Sequence, residues 1–547
     1  MKIAGAWSGH DCSFCLFEDG KPLVHAEYER YIREKEPAGD GIQFMFDELD
    51  PEEYSDIKHF GTCHPLDKLE NHSDSYKELM NILKKNDGEF HVIGHHHAHA
   101  ANAFFSSNFD ESLIVTMDGG GVEDANRYPS AFTVWTGKGN KIKHVKTFPL
   151  GEVNIGGVWT RVTRYVFNMQ SGWPTGHQAG TIMAMAAFGD PQRFHNDFLT
   201  MLIRDSAAVS YKPPGQPRGA NVGTDPNHPY LHRWREIADQ DEQNKFDLAA
   251  GLQSATEFYM KNIVGSFVDK FPELKNICFS GGVALNSVCM GKMLNWFDGK
   301  ISDYYVTPTP HDGGLVLGAA QHIWHQVLDN PRIKWEDNFT PYLGVQYRDK
   351  DIEKAISEKL EENLIITKKT SDDEVVDLLD QQNIIAVFGG GSESGRRALG
   401  NRSILADPRS PDMKDIINEK VKHRQWFRPF APSILREEVK NWFTRDIDSP
   451  YMSHVLDFKE EVKEKVPAVV HENGTARLQT VTKNDNEWYH NFISMWNKKS
   501  GVPIVLNTSF NDREPICETP EHALNCFLGT EIDYLYFYEE GILVSRK

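Results

Sequence analysis

The sequence predicts an α/β protein of two domains, and three features carry that reading. A chain of 547 residues exceeds what one hydrophobic core organises, at about 100–200 residues per domain. In the first half, short apolar strands end in glycine turns, at Ser112–Met117 before Asp118–Gly121 and at Asn276–Phe279 before Ser280–Gly282. From Asp351 onward, helical and strand-like segments alternate, as a separate α/β domain requires.

Taken in order, Met1–Trp7, Ser13–Phe17 and Lys21–Glu27 read as a strand, a hairpin arm and a third strand, with a polar turn at Gly9–Ser13. Ser112–Met117, Phe132–Trp135 and Lys141–Lys146 continue as a sheet. A mixed stretch contains Gly176–Gly189, and the segment from about Asp205 to Asp241 is rich in Pro, Gly, Asn and charge, which reads as an insertion or loop. Phe246–Phe271 is helical, Asn276–Phe279 is a strand, and a helix starts near Asn286–Ser287. Tyr304–Val306, the turn Thr307–Gly314 and the helix Leu315–Val327 repeat that pattern. Linker character across Asp329–Pro341 places the boundary, giving domains 1–341 and 342–547. Beyond it, helices over Asp351–Glu361, Ser371–Gln381 and His522–Leu528 alternate with strands at Ile384–Phe388, Ile504–Leu506 and Tyr534–Phe537. No solenoid repeat is present, and the paired glycine-ended strands are at most a faint duplication.

Composition narrows the function classes. Lys and Arg number 59 against 79 Asp and Glu, a net charge of −20 that repels nucleic acid and anionic membranes unless basic residues are segregated. No apolar run reaches the roughly 18–20 residues that span a bilayer, and the N-terminus turns polar at Ser8–Asp11. Seven scattered cysteines suit a reducing, cytoplasmic setting, with Cys12 and Cys15 as buried small hydrophobes.

Against this background, His95–His96–His97–Ala98–His99 is conspicuous. Positions 95 and 99 share one helix face and can chelate one metal, while a solvated polar face is the plainer reading. Asp118, at a strand end, can complete a two-His, one-carboxylate set, and Asp312 is a natural fourth ligand unless it serves only as a helix N-cap. Such donors favour iron, zinc or manganese. Gly120, Gly121, Gly281 and Gly282 invite close approach of a phosphate-bearing ligand, without a dinucleotide fingerprint or Walker lysine. The segregated basic patch lies between Arg396 and Arg428, where nine Lys/Arg (396, 397, 402, 409, 414, 420, 422, 424, 428) face four acids. Interleaved turn and apolar residues suit a cleft for a small polyanion better than a nucleic-acid stripe.

The string Glu393-x-Gly395-x-Arg397–Ala398–Leu399–Gly400–Asn401–Arg402–Ser403–Ile404–Leu405–Ala406–Asp407–Pro408–Arg409, with Phe427–Pro432 and Asn507–Asn511, closely resembles the ATP-dependent O-carbamoyltransferases of the nodulation-protein and antibiotic-tailoring type. Gly9–Asp11, Ala26–Arg30, the 95/99 histidines, Asp118–Gly121, Ser280–Asn286 and Asp312–Ala320 are similar to the family's first domain, which is like the tRNA threonylcarbamoyl-adenosine enzyme. The resemblance implies an actin/Hsp70-like (ASKHA) N-terminal domain and a YrdC-like C-terminal domain. It implies carbamoyl-adenylate formation from ATP, with Mg2+, and carbamoyl phosphate in the second domain, then transfer to a small-molecule or sugar hydroxyl in the first. Arg397, Lys422, Arg428, Arg477, Asn507 and Ser509 would hold carbamoyl phosphate and the ATP phosphates. His95, His99, Asp118 and Asp312 would bind one divalent metal, Fe(II) favoured over Zn or Mn. Gly120, Gly121, Gly281, Gly282 and Asn286 would surround the nucleotide, and His10 is the candidate base, its plainer role a hydrogen-bonded turn residue. Thr181 where the family usually has lysine, Arg396 where it has proline and Glu36 where a histidine is common depart from the pattern, the first and third bearing on the acceptor. No nucleic-acid or membrane partner is expected, and the oligomeric state stays open, a homodimer included. A tRNA-modifying enzyme, against which the charge weighs, and a metal- and nucleotide-binding protein without turnover are the alternatives.

Overall fold

The computed structural model describes residues 1–63, 74–123, 129–150, 152–169, 178–205 and 229–547. The chain divides into two compact units, Met1–Glu29 with Glu34–Trp335, and Arg30–Arg33 with Glu336–Lys547.

The first unit holds two five-stranded sheets. One contains β1 (Lys2–Trp7), β2 (Ser13–Glu18), β3 (Lys21–Glu27), β4 (Ile57–Thr62) and β5 (Glu89–Val92) in the order β3-β2-β1-β4-β5. The other contains β6 (Glu111–Val122), β7 (Pro129–Lys138), β8 (Lys141–Pro149), β9 (Asn276–Ser280) and β10 (Asp303–Val306) in the order β10-β9-β6-β7-β8. In both, the first three strands form an antiparallel meander and the last two add in parallel to the first. The duplication is therefore complete at the level of strand order and sense, where residue patterns had suggested only a faint one. β1 is buried along its interior, as expected of a central strand covered on both faces.

Each half closes with a helix. His95–Ser106 follows β5, Leu315–His322 follows β10, and the two pack against each other. A further helix, Glu242–Lys270, is capped by Asp241, whose carboxylate accepts from Asn244 N–H. The segment read as a loop to Asp241 contains a helix at Pro229–Ala238, anchored by the buried Leu231 and Trp234. Turn-like composition concealed that apolar spacing; residues 206–228 of the same reading, and 176–177 of the mixed stretch before it, lie outside the described residues.

The second unit is built on one nine-stranded mixed sheet. Its strands are β11 (Ile365–Lys369), β12 (Ile385–Phe388), β13 (Arg402–Ala406), β14 (Ala431–Leu435), β15 (His454–Asp457), β16 (Thr475–Val481), β17 (Ile504–Ser509), β18 (Tyr534–Phe537) and β19 (Ile542–Arg546), ordered β11-β19-β18-β12-β13-β17-β14-β16-β15. Ile352, Ile356, Met413, Ile417, Leu524 and Phe527 belong to one core, and Val375, Leu379, Tyr489, Phe492 and Trp496 to another. Complete burial of such side chains contributes about 1.5–3 kcal/mol each. The basic stretch 396–428 is not one loop: β13 and the helix Met413–Lys420 both lie within it.

All seven cysteines are free and buried, and burial pushes the Cys12 thiol up to about 12, so neither it nor its neighbours offers a ready thiolate. Among the described residues no helix is long and apolar enough to cross a membrane.

Candidate metal centre and anion site

Asp118 sits where the β6–β7 ladder breaks between Met117 and Gly121, just past the last β6–β9 pair, Thr116 with Ser280. Its carboxylate accepts from the backbone N–H groups of Gly119 and Gly282, the latter at 3.1 Å. Asp312 opens a single 3-10 turn that leads into Leu315–His322. Ser13 Oγ and His25 Nε2 brace that turn on the Gly313 carbonyl, at 3.0 and 2.8 Å.

The helix His95–Ser106 brings two imidazoles to these carboxylates. His99 Nε2 lies 3.1 Å from Asp118 Oδ2 and 3.4 Å from Asp312 Oδ1, and His95 Nε2 lies 3.8 and 3.5 Å from the same atoms. The four donor atoms all fall within 4.8 Å of one another. Both Nε2 atoms are buried yet make no properly directed hydrogen bond, so they converge on a point rather than on a carboxylate. His99 Nδ1 faces Ser280 Oγ at 3.3 Å, which orients the ring. Burial favours neutral His99, but Asp118 and Asp312 outweigh it and raise the imidazole to about 9. Burial alone would raise Asp118; the two histidines instead hold it well below the carboxylate range. A set of two imidazoles and two carboxylates, dry and mutually charge-compensating, fits a divalent transition cation.

The other two histidines of the cluster do different work. His96 is fully buried between Thr116 Oγ1 and the Ser130 carbonyl, both at 2.9 Å, and is pushed down to about 3 by burial and by His95 and His99. His97 stacks on Trp135 and meets His322 edge-on.

Around this centre the glycines act by what they leave out. A Cβ on Gly121 would lie 2.1 Å from His95 Cδ2, and Gly281, at φ +90°, would place one 2.0 Å from the Met117 carbonyl oxygen. Gly120 also has positive φ, and Gly282 backs Asp118 with its N–H. Asn286 spends its amide as the N-cap of Ser287–Gly291 and in exchange with Gln253 at 2.9 Å. His10 lies in the turn between β1 and β2. Its Nδ1 faces Asp11 Oδ2 at 2.9 Å and its Nε2 faces Asp312 Oδ2 at 3.3 Å. Burial opposes its charge, but Asp312, Asp11 and Asp118 raise it to about 10. Thr181 is buried in the helix Ala179–Met185.

In the second unit, four arginines crowd together. Arg397 is held well below the usual range by burial and by Arg477, Arg396 and Arg428. Burial, Arg424 and Arg428 pull Arg477, on β16, down to about 10; Arg424 is lowered by burial and Arg428, and Arg428 by burial itself. All four are only half-buried, so the recess they form between them keeps some access to solvent. Arg477 Nε is buried without a hydrogen-bond partner. Cations forced together in this way are relieved by a polyanion.

Four other basic residues of the stretch are committed elsewhere. Arg402 is fully buried, stacks 3.6 Å from the Phe388 ring centroid and donates to the carbonyls of Gly389, Gly390, Asn401 and Glu518. Arg409 pairs with Asp407 and Asp380, both at 2.7 Å, and Lys420 with Glu531. Lys422 is buried and donates to Ser509 O, Ser509 Oγ, Asn511 O and Asn511 Oδ1 at 2.5–3.2 Å. Its ammonium thus ties the end of β17 in place and is not turned to the arginine recess alone. Asn507, paired in register with Leu405 and Ala431, donates to Ala398 O, Ser433 Oγ and Gln479 Oε1 at 3.0–3.1 Å and leaves Oδ1 buried without a partner.

Comparison with known proteins bears on what these centres belong to. A family model described as Carbamoyltransferase N-terminus matches residues 66–321, and one described as Carbamoyltransferase C-terminus matches 376–545. The nodulation protein NolO of Bradyrhizobium diazoefficiens is 33% identical over 458 residues, covering 81% of this chain and 77% of that protein. This chain belongs to the carbamoyltransferase family. An uncharacterized protein of Synechocystis sp. is 32% identical over 476 residues, 81% of this chain and 74% of its own. Among solved structures, full-length HypF in its phosphate- and nucleotide-bound form aligns at TM-score 0.35 and 13% identity, over 60% of this chain and 47% of that one.

Beside these centres of the carbamoyltransferase stand residues that residue patterns alone did not single out. Arg424 stood unremarked among nine basic residues, and its place in the recess comes from the turn after Met413–Lys420; Asn418 Oδ1 fixes its Nε at 2.7 Å and Phe430 lies beneath it. Asp11, at φ +57°, orients His10, and the buried Glu27 pairs with His311 at 2.8 Å beside Asp312. The signal for Asp11 and Glu27 was their place within Gly9–Asp11 and Ala26–Arg30, two of the strings that carried the resemblance, whereas Arg424 lies outside all of them.

Proposed function

We propose that the carbamoyltransferase makes carbamoyl-adenylate from carbamoyl phosphate and ATP in its second unit and transfers the carbamoyl group to a hydroxyl of a small-molecule or sugar acceptor in its first. The observation that carries this reading is the crowding of Arg397, Arg424, Arg428 and Arg477, whose pKa values are all lowered by burial and, except for Arg428, by neighbouring arginines as well. Water releases phosphate from carbamoyl phosphate, the resulting carbamate oxygen bonds the α-phosphorus of ATP, and pyrophosphate leaves. The arginine forks hold the phosphoryl oxygens and offset charge that builds on them, an effect of about 3–4 kcal/mol per preorganised donor. Lys422 and Ser509 position Asn511 and the β17 end, and Asn507 presents its unpartnered Oδ1.

In the first unit the acceptor oxygen bonds the carbamoyl carbon and AMP leaves. Asp11 holds the Nδ1 proton of His10, so Nε2 is the atom that takes the hydroxyl proton. His95, His99, Asp118 and Asp312 would hold a divalent metal, ferrous iron by preference, which supplies Lewis-acid stabilisation of phosphate charge and offsets the carboxylates that otherwise keep His10 protonated.

Pyrophosphate release from purified enzyme tests the first step. It should require both ATP and carbamoyl phosphate, and Arg397→Ala should lose it by about 10²–10³-fold. Release from ATP without carbamoyl phosphate, or at the parent rate in Arg397→Ala, would show that the second unit does something else. Mass spectrometry across a panel of hydroxylated metabolites then identifies the acceptor.

A further inference from the structure

A second histidine site lies on the first sheet. β4 and β5 run parallel with His59 opposite Glu89 and Gly61 opposite His91. Alternation along each strand puts Phe60 and Phe90 on one face, where their rings stack at 5.5 Å, and His59, Glu89 and His91 together on the other. β5 is the edge of the sheet, so this trio sits at the sheet's margin, on the face that Gly61 turns toward Ala319 and Ile323.

His59 Nδ1 and His91 Nε2 lie 3.1 Å apart, and Glu89 Oε2 is 3.8 Å from His91 Nε2. The three donor atoms fall within 4.8 Å of each other. Two nitrogens bound to one tetrahedral zinc at about 2.05 Å would be about 3.3 Å apart, so this pair needs almost no movement to become a chelate. Both rings are half-buried while the Glu89 side chain is 68% exposed and free to swing. Burial, with Lys58 beside His59 and His59 beside His91, lowers both imidazoles from their ordinary value against the pull of Glu89, which keeps the lone pairs available at neutral pH.

We infer that His59, His91 and Glu89 form a second divalent-cation site, of the zinc class, that clamps the edge strand β5 to β4. It is independent of the His95/His99 centre and of the reaction proposed above. No thiolate takes part, so copper(I) and iron–sulfur chemistry are not served here.

The test is Zn2+ and Co2+ binding to the chelator-stripped full chain, followed by calorimetry and by Co2+ absorption. One bound equivalent should disappear in His59→Asn/His91→Asn and persist in His95→Ala/His99→Ala. Glu89→Gln alters only an exposed side chain, so it keeps the fold, and it should weaken that equivalent about tenfold. Zinc should also raise the melting temperature of His95→Ala/His99→Ala, and adding His59→Asn/His91→Asn to that variant should abolish the rise. If His59→Asn/His91→Asn and Glu89→Gln both bind as the parent does, the two histidines merely share a hydrogen bond and the inference falls.

Discussion

Gly121→Ala is the sharpest probe of the candidate metal centre, because the substitution adds one methyl group and replaces no ligand. The new Cβ would stand 2.1 Å from His95 Cδ2 and 2.2 Å from Cγ, whereas ordinary contact begins near 3.4 Å. His95 must therefore retreat by about 1.3 Å, the difference between those separations, while metal–ligand bonds tolerate about 0.2 Å. Overpacking of this kind costs about 1–3 kcal/mol, which corresponds to a loss of metal affinity of about 5-fold to about 150-fold. Gly119→Ala is the matched control: its Cβ would meet nothing within 4 Å. Calorimetric titration with Mn2+ or Zn2+ should show the loss in Gly121→Ala, near-parental affinity in Gly119→Ala, and unchanged pyrophosphate release in both, since that step belongs to the second unit. Gly121→Ala binding within twofold of the parent would mean that His95 is not a ligand, and the centre would have to be redrawn.

Three more expectations follow from the same coordinates. Arg424→Ala and Arg477→Ala should each slow pyrophosphate release by about 10²-fold or more, and Arg424→Lys should not restore it, because a lysine lacks the Nε donor that binds Asn418. His325 and His522 are lowered to about 4, and His454 and His471 to about 3, chiefly by burial. Their unfolded forms take up protons below about 6.5 while the folded forms do not, so stability they contribute is present above that pH and lost as pH falls toward 4, at up to about 1.4 kcal/mol per histidine per pH unit. Urea midpoints that stay flat between pH 7 and 5 would contradict this. Lys422→Met strands four oxygens around an apolar end, each at a cost of about 1–3 kcal/mol if left dry, so both the melting temperature and the turnover should drop. A variant that loses turnover with an unchanged melting temperature would instead place the ammonium on substrate.

The metal centre was largely legible in the residues themselves. A helix forces positions 95 and 99 onto one face whatever surrounds them, and Asp118 and Asp312 lie at strand and helix ends where side chains converge. The anion site was legible only as a density of charge. Arg402, Lys422 and Arg428 look alike along the chain, but one is threaded into the interior, one grips a neighbouring strand and one lines the recess, and those fates are decided by pairing between β13, β17 and the 422–428 turn. β4 and β5 went unseen because IKHFGT and EFHV carry too many polar residues for a central-strand pattern and are too short for clear alternation. The pair His59 and His91 was invisible for the same reason, since their proximity depends on the register of those strands.

The two halves of the first unit each end in a helix, and the metal ligands are dealt out between them: His95 and His99 at the start of one closing helix, Asp312 at the start of the other, Asp118 on the strand that begins the second half. During synthesis, a nascent chain that has not yet exposed Asp312 therefore owns an incomplete claw. The complete set of four donors exists only once the second sheet has closed on the first.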